Sequence, residues 1–244
     1  QHERMTRTIE GLLDAKDAMD RMRADIPAPF THLRDVEVPA RTVSHATLST
    51  FHGCPPDEIE GIVKHLMTAH GLDVTVKLHP PRRGPGVVGE IRHARLGYPD
   101  VPRVPSAFAP DLKSDRAPAM NHGLREFAQA EGRTFGIKLT NTLVVANDRG
   151  VRPGEQMYLS GRPLHVLAIA VLDQLCRALP EVLGVGADPG PVPVAFSAGI
   201  YKDNLVDAVA LGLRPVTICS DMLKPGGYWL CVDVQASAHV GENV

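Results

Sequence analysis

Cysteine is scarce in this chain, and an excess of charge of either sign is missing. Four cysteines in 244 residues, Cys54, Cys176, Cys219 and Cys231, are too few for a disulfide scaffold. No Cys-x-x-Cys spacing occurs, so the chain carries neither a zinc nor an iron-sulfur signature of its own. A reducing, cytoplasmic setting fits that usage. With 26 basic against 28 acidic residues and a net charge of -2, there is no basic field, which argues against nucleic acid or an anionic membrane surface as partner. Long apolar runs are lacking too. The longest, Val166 to Leu172, is far too short to span a bilayer, and no signal-peptide pattern opens the chain. Neither an internal repeat nor a low-complexity linker interrupts it. What is present is an ordinary soluble globular composition, 43% hydrophobic and 22% charged, which leaves small neutral or weakly acidic ligands open. The chain starts Gln1-His2 rather than with methionine, so a fragment or processed piece is expected. A helical pattern follows at Ile9, Leu12, Leu13, Met19 and Met22.

Beyond that pattern, short strand-like runs alternate with helical ones, the signature of a parallel α/β architecture. The strands are expected at 45–50, 73–79, 134–144, 192–199 and 214–220, and the helices near 57–70, 116–131, 163–179 and 203–211. The proline- and arginine-rich stretch between them, from Pro80 to Leu112, holds a weaker helix and strand pattern, the strand near Val101. The segment 184–193 reads as a loop.

Parity along the strands carries more information, because alternate side chains face opposite ways. Val74, Val76 and Leu78 share one face while Thr75, Lys77 and His79 share the other. Ile137 and Leu139 oppose Lys138 and Thr140, Val194 and Phe196 oppose Ala195 and Ser197, and Val216 and Ile218 oppose Thr217 and Cys219. Each strand therefore offers an apolar face to covering helices and a small or polar face elsewhere. In a (β/α)8 barrel such polar inner faces gather into a site at the carboxyl mouth of the strands. An open sheet with one solvated face is the alternative, although parallel sheets rarely leave a face uncovered.

Cys54 stands directly before Pro55 and Pro56, where a helix is expected to start. Asp57 and Glu58 complement the helix dipole, Ile59, Ile62, Val63, Leu66 and Met67 form an apolar stripe, and Gly71 ends it. Amide donors at a helix entrance favour a thiolate, and the two acids oppose it. A small buried turn residue is the other reading of Cys54.

The runs "VKLHP" (76–80), "TNT" (140–142), "LSGRPLHVLAIAVLDQL" (159–175), "VPVAFSAGI" (192–200) and "VTICSDML" (216–223) follow one another in an order that resembles the flavin-dependent dihydroorotate and dihydropyrimidine dehydrogenase barrels. "STFHGCPPDEIE", "FGIKLTNTL", "MYLSGRPL" and "LKPGGY" are similar to the barrel domain of the "putative selenate reductase subunit" family, a branch of that superfamily. The resemblance implies one domain over 1–244, a partial TIM barrel whose first strands lie upstream of residue 1. It implies an oxidoreductase that binds FMN and acts on a small, N-heterocyclic substrate, within a larger enzyme whose other domains or subunits carry FAD or iron-sulfur clusters. Cys54, Lys77 and Lys138 are then the catalytic candidates, with Cys54 exchanging a proton at carbon and the lysines stabilising negative charge on the reduced flavin. The cofactor site would comprise Lys77, Lys138, Asn141, Ser160, Gly161, Ser197, Gly199 and Ser220. The substrate site would comprise Ser49, His52, Thr140, Asn141 and Thr142.

Three features depart from those relatives. Ser197-Ala198-Gly199 stands where they carry Gly-Gly near phosphate, Asp221 follows Ser220, and "PPRRG" (80–84) replaces apolar residues. Two other readings stay open: a non-catalytic barrel that organises partner redox domains, and a phosphate-binding isomerase or lyase barrel that uses Lys77 or Lys138 as a Schiff base or acid.

Overall fold

The computed structural model describes residues 3–50, 54–78, 116–147, 150, 153–179, 192–219, 222, 223 and 225. Two helices, α1 (Glu3–Leu13) and α2 (Lys16–Ala24), and a 3-10 helix (Ala28–Asp35) open the chain, and none of them buries a side chain. Strand β1 (His45–Leu48) follows, then α3 (Pro56–His70) and β2 (Asp73–Leu78). Helix α4 (Arg116–Ala130) leads to β3 (Phe135–Leu139), and β4 (Leu143–Ala146) to β5 (Gln156–Leu159). Helix α5 (Arg162–Ala178), strand β6 (Val194–Phe196) and α6 (Lys202–Ala210) complete the described elements. No helix among the described residues is long and apolar enough to cross a membrane.

Helix α3 shows how local chemistry places these elements. Pro56 fits the first turn, Ile59, Val63 and Met67 recur on one face and are buried, and Gly71 closes the helix with φ +61°. In that left-handed conformation Gly71 N–H reaches the carbonyl of Met67, and Leu72 N–H that of Leu66, which satisfies the last orphan acceptors.

Strands β1, β2, β3 and β6 form one parallel sheet in that order. Val216 extends it by a parallel bridge to Phe196. The strand order of this sheet rises with the sequence, as in a barrel, with β4 and β5 forming a separate pair between β3 and β6 in the chain, and these four strands make an arc of one; a closed barrel has eight strands. The apolar parity set forms the core: Val74, Val76, Phe135, Ile137, Leu139, Val194 and Phe196 are buried together with Val63 and Met67 of α3, Leu124 of α4, Leu167 and Ala168 of α5 and Leu205 of α6.

The four expected helices lie within one residue of their expected bounds, but the strands needed correction. The expected strand 134–144 is two strands. Asn141 N–H and the Thr140 hydroxyl both donate to the Leu78 carbonyl, at 2.8 and 3.0 Å, and the chain then leaves the parallel sheet. Strand β4 pairs antiparallel with β5, a hairpin the sequence reading lacked. The expected strand 214–220 makes a single bridge, although Arg214 N–H, the Pro215 carbonyl and Thr217 N–H all bond to β6 as a neighbouring strand would. Expectations for 80–112, with the strand near Val101, for most of 184–193, and for His79 lie outside the described residues.

Among the described residues two side chains of α4 hold buried polar atoms without a partner, Asn121 and, at its Nε, Arg125. The Asn121 side chain in α4 is fully buried (0% exposed), and neither its nitrogen nor its oxygen finds a hydrogen-bond partner. An unpaired buried amide costs about 1–3 kcal/mol. Replacing it by an apolar group of similar size, Asn121→Leu, is therefore expected to raise the denaturant midpoint with an unchanged slope. A lower midpoint would show that this amide has a partner in solution.

Candidate functional site at the carboxyl ends of the strands

The polar faces of the strands stack in layers. In the first, His45 Nε2 lies 2.8 Å from Thr75 Oγ1. Gly136, in register with Thr75, has no room for a side chain, since an added Cβ would come 2.9 Å from that hydroxyl and 3.2 Å from the Pro193 carbonyl. Burial holds His45 below the usual imidazole value, opposed by the Asp73 carboxylate and reinforced by the charge of Lys138.

The second layer holds the two lysines. Lys77 pairs in register with Lys138, so both project from the same face. Lys138 in turn pairs with Ala195, and past this small residue its amine donates to Thr217 Oγ1 at 2.9 Å. Among the described residues neither lysine forms an ion pair with a carboxylate. Burial lowers the Lys138 pKa, and the positive charge of Lys77 lowers it further. Two cations side by side on an inner face, with no carboxylate partner among the described residues, suit negative charge.

At the strand ends, Ser49 Oγ lies 3.5 Å from Asn141 Oδ1, which brings β1 to the asparagine that follows β3. Thr140 is buried with its hydroxyl bonded to Leu78, whereas Thr142 is half-buried. Ser197 N–H donates to the Leu139 carbonyl at 2.7 Å, which sets the turn after β6 beside β3. Ser160 is exposed, and Gly161, with φ +68°, precedes α5. Gly199, with φ +59°, packs directly against the Gly161 carbonyl, so a side chain there would clash with backbone. The structure thus brings Gly161 and Gly199 together. The backbone N–H groups of Ala198, Gly199 and Ile200 make no hydrogen bond among the described residues. Consecutive amides of this kind, around a left-handed residue, form a concavity suited to an anion.

Cys54 is buried (6% exposed) at the entrance to α3, within the apolar core. Its Sγ lies 3.9 Å from both the Pro55 carbonyl and Glu58 Oε2. Burial pushes the thiol pKa up, and Glu58 adds to this as a negative charge and as a hydrogen-bond acceptor. The thiol is held protonated: desolvation and the acid outweigh the helix dipole. His52 and Ser220, with Asp221, lie outside the described residues.

Comparison with known proteins now adds to this geometry. The model of the family described as oxidoreductase YgfK, N-terminal TIM-barrel domain, matches residues 1–242. The chain belongs to this family. It is 36% identical over 218 residues to the protein named "Putative oxidoreductase YgfK" in Escherichia coli strain K12, and equally to the protein of that name in Escherichia coli O157:H7. Those alignments cover 89% of this chain and 19% of each relative, so the chain spans about a fifth of their length. No solved structure matches. The family assignment makes the arc of parallel strands part of a TIM barrel.

Two side chains near the site were not among the sequence candidates. His165, inside "SGRPLHVL", bonds the Ala198 carbonyl, and Asn204, three residues after Tyr201, bonds that of Gly199. The one local signal was a histidine in an otherwise apolar helix face.

The lysine pair generates a pH-dependent expectation. Because the native pKa of Lys138 lies below its unfolded value, its charged form costs stability below the native pKa, and that cost fades as pH rises through it. Without added ligand, Lys138→Met is expected to raise the melting temperature at pH 7, with a gain that narrows towards alkaline pH. No gain at neutral pH, or a gain that grows with pH, would contradict the cost of holding this charge partly buried and beside Lys77.

Proposed function

We propose that this domain is the FMN-binding barrel of a larger oxidoreductase, acting on a small N-heterocyclic substrate. The observation that carries this reading is the pair of lysines in register on one inner sheet face, with no carboxylate partner among the described residues. A bound flavin would supply hydride transfer, with negative charge developing on its ring in the reduced form. Lys77 and Lys138 offer two positive charges for that anion, in a partly desolvated place where such charges act more strongly than in water. The turn amides of Ala198, Gly199 and Ile200, with Ser197, are suited to the phosphate end, and Ser160 and Gly161 border them. Ser220 is assigned to this end by family resemblance alone. Asn141, with donor and acceptor on one amide and Ser49 beside it, is assigned to the substrate, with Thr140 and Thr142 on either side of it in the chain, and His52 is assigned there by family resemblance alone.

Cys54 is the proposed proton donor. Its raised pKa keeps the proton on sulfur at neutral pH, the state that a donor needs. Domains carrying FAD or iron-sulfur clusters are proposed as electron-transfer partners, and the relatives, of which this chain covers 19%, have ample length for them. A cytoplasmic location accompanies this reading.

The test is the visible absorption spectrum of the purified full-length protein, with FMN expected after mild denaturation. A folded full-length protein that neither carries nor takes up flavin would point instead to a barrel that organises its partners. For Cys54, the expected result of Cys54→Ala is a chemical step slower by about 10²- to 10⁴-fold, with the flavin spectrum intact. Full activity in that variant would assign the residue to packing alone.

A further inference from the structure

The turn after β6 owes its shape to two side chains that touch no proposed ligand. Ala198 and Gly199 each direct a carbonyl oxygen at a helix. The Ala198 oxygen lies 2.8 Å from His165 Nδ1 on α5. Since a carbonyl only accepts, Nδ1 carries the hydrogen, and Nε2 of the neutral ring is left as an acceptor. Asn204 Nδ2, on α6, lies 3.4 Å from that Nε2 and 3.1 Å from the Gly199 oxygen. Its Oδ1 accepts from Tyr201 N–H at 2.8 Å. The imidazole also rests edge-on against Phe196, with centroids 5.6 Å apart, so its plane is set by the strand that carries the turn. Every polar atom of the two side chains is thereby assigned.

In a trans peptide the N–H points opposite to the C=O, and both peptides here are trans. Holding the Ala198 and Gly199 oxygens towards α5 and α6 therefore turns the Gly199 and Ile200 N–H groups the other way. Those are two of the three amides without a partner among the described residues. Gly199 must be glycine for this to work, because its left-handed backbone lies against the Gly161 carbonyl.

We propose that His165 and Asn204 are positioning residues for the turn that holds the phosphate end of the cofactor. They act by taking up its carbonyls, and this rests on the flavin reading above. The arrangement explains how Ser-Ala-Gly serves at this position without a second glycine: the orientation comes from hydrogen bonds supplied by two helices.

The test compares affinity for FMN with affinity for riboflavin, which lacks the phosphate, in full-length protein stripped of flavin. The wild type is expected to prefer FMN. His165→Leu, which cannot donate to Ala198, is expected to reduce that preference by about tenfold or more, the scale of a hydrogen bond to a charged group, with riboflavin affinity unchanged. His165→Asn, whose side-chain amide nitrogen occupies nearly the place of Nδ1, is expected to restore most of it. A loss of riboflavin affinity as well, or no rescue by Asn, would reduce His165 to packing and overturn the proposal. So would a His165→Leu protein with the wild-type ratio, and that result would leave the flavin reading standing. A wild-type protein that binds neither flavin overturns both, and the absence of riboflavin binding marks the flavin reading as the one at fault.

Discussion

A parallel sheet in register leaves little freedom over which side chains become neighbours. Once Val76 pairs with Ile137, and Ile137 with Val194, Lys77 must lie beside Lys138 and Lys138 beside Ala195. The apolar partners are buried against four helices, and a slip of one residue would carry the whole hydrophobic set to the other face. Packing of the outer face thus holds the lysines together on the inner one, against their mutual repulsion. The stability of the core offsets an electrostatic cost located at the site.

That cost has a direction. The sheet gives Lys138 a small and a polar neighbour, Ala195 and Thr217, beside Lys77, and among the described residues no carboxylate pairs with either lysine. A structural lysine pair would ordinarily be neutralised by acids, because leaving like charges adjacent and partly buried is unfavourable. Electrostatics alone makes the inner face complementary to an anion. The turn after β6 adds backbone amides of the same polarity at the same end of the sheet, through a different kind of group and without a formal charge.

Cys54 shows how a local rule is overruled. A helix entrance lowers a thiol pKa in proportion to how well its dipole reaches the sulfur. Here the sulfur is buried in the core with a carboxylate 3.9 Å away, and both desolvation and that charge favour the neutral form. A donor and a nucleophile need opposite protonation states, so burial first and Glu58 second decide which chemistry this thiol suits.

The sequence by itself determined the helices, the parity of the strands and the α/β class, since capping, 3.6-residue and two-residue periods are short-range properties. Pro55, Pro56, Asp57 and Gly71 marked α3 to within a residue. Parity placed Lys77 and Lys138 on polar faces, and motif order pointed to Asn141, Gly161 and Gly199 before their geometry was known. Only the tertiary structure decided the rest. The strand predicted over 134–144 breaks because the Leu78 carbonyl, 62 residues from Thr140 along the chain, takes the hydrogen bonds at its end. His165 acts on a carbonyl 33 residues away, and the Lys138 amine on a hydroxyl 79 residues away. No window of sequence contains both partners of such bonds, because they exist only once the packed core has brought separate strand ends to the same place.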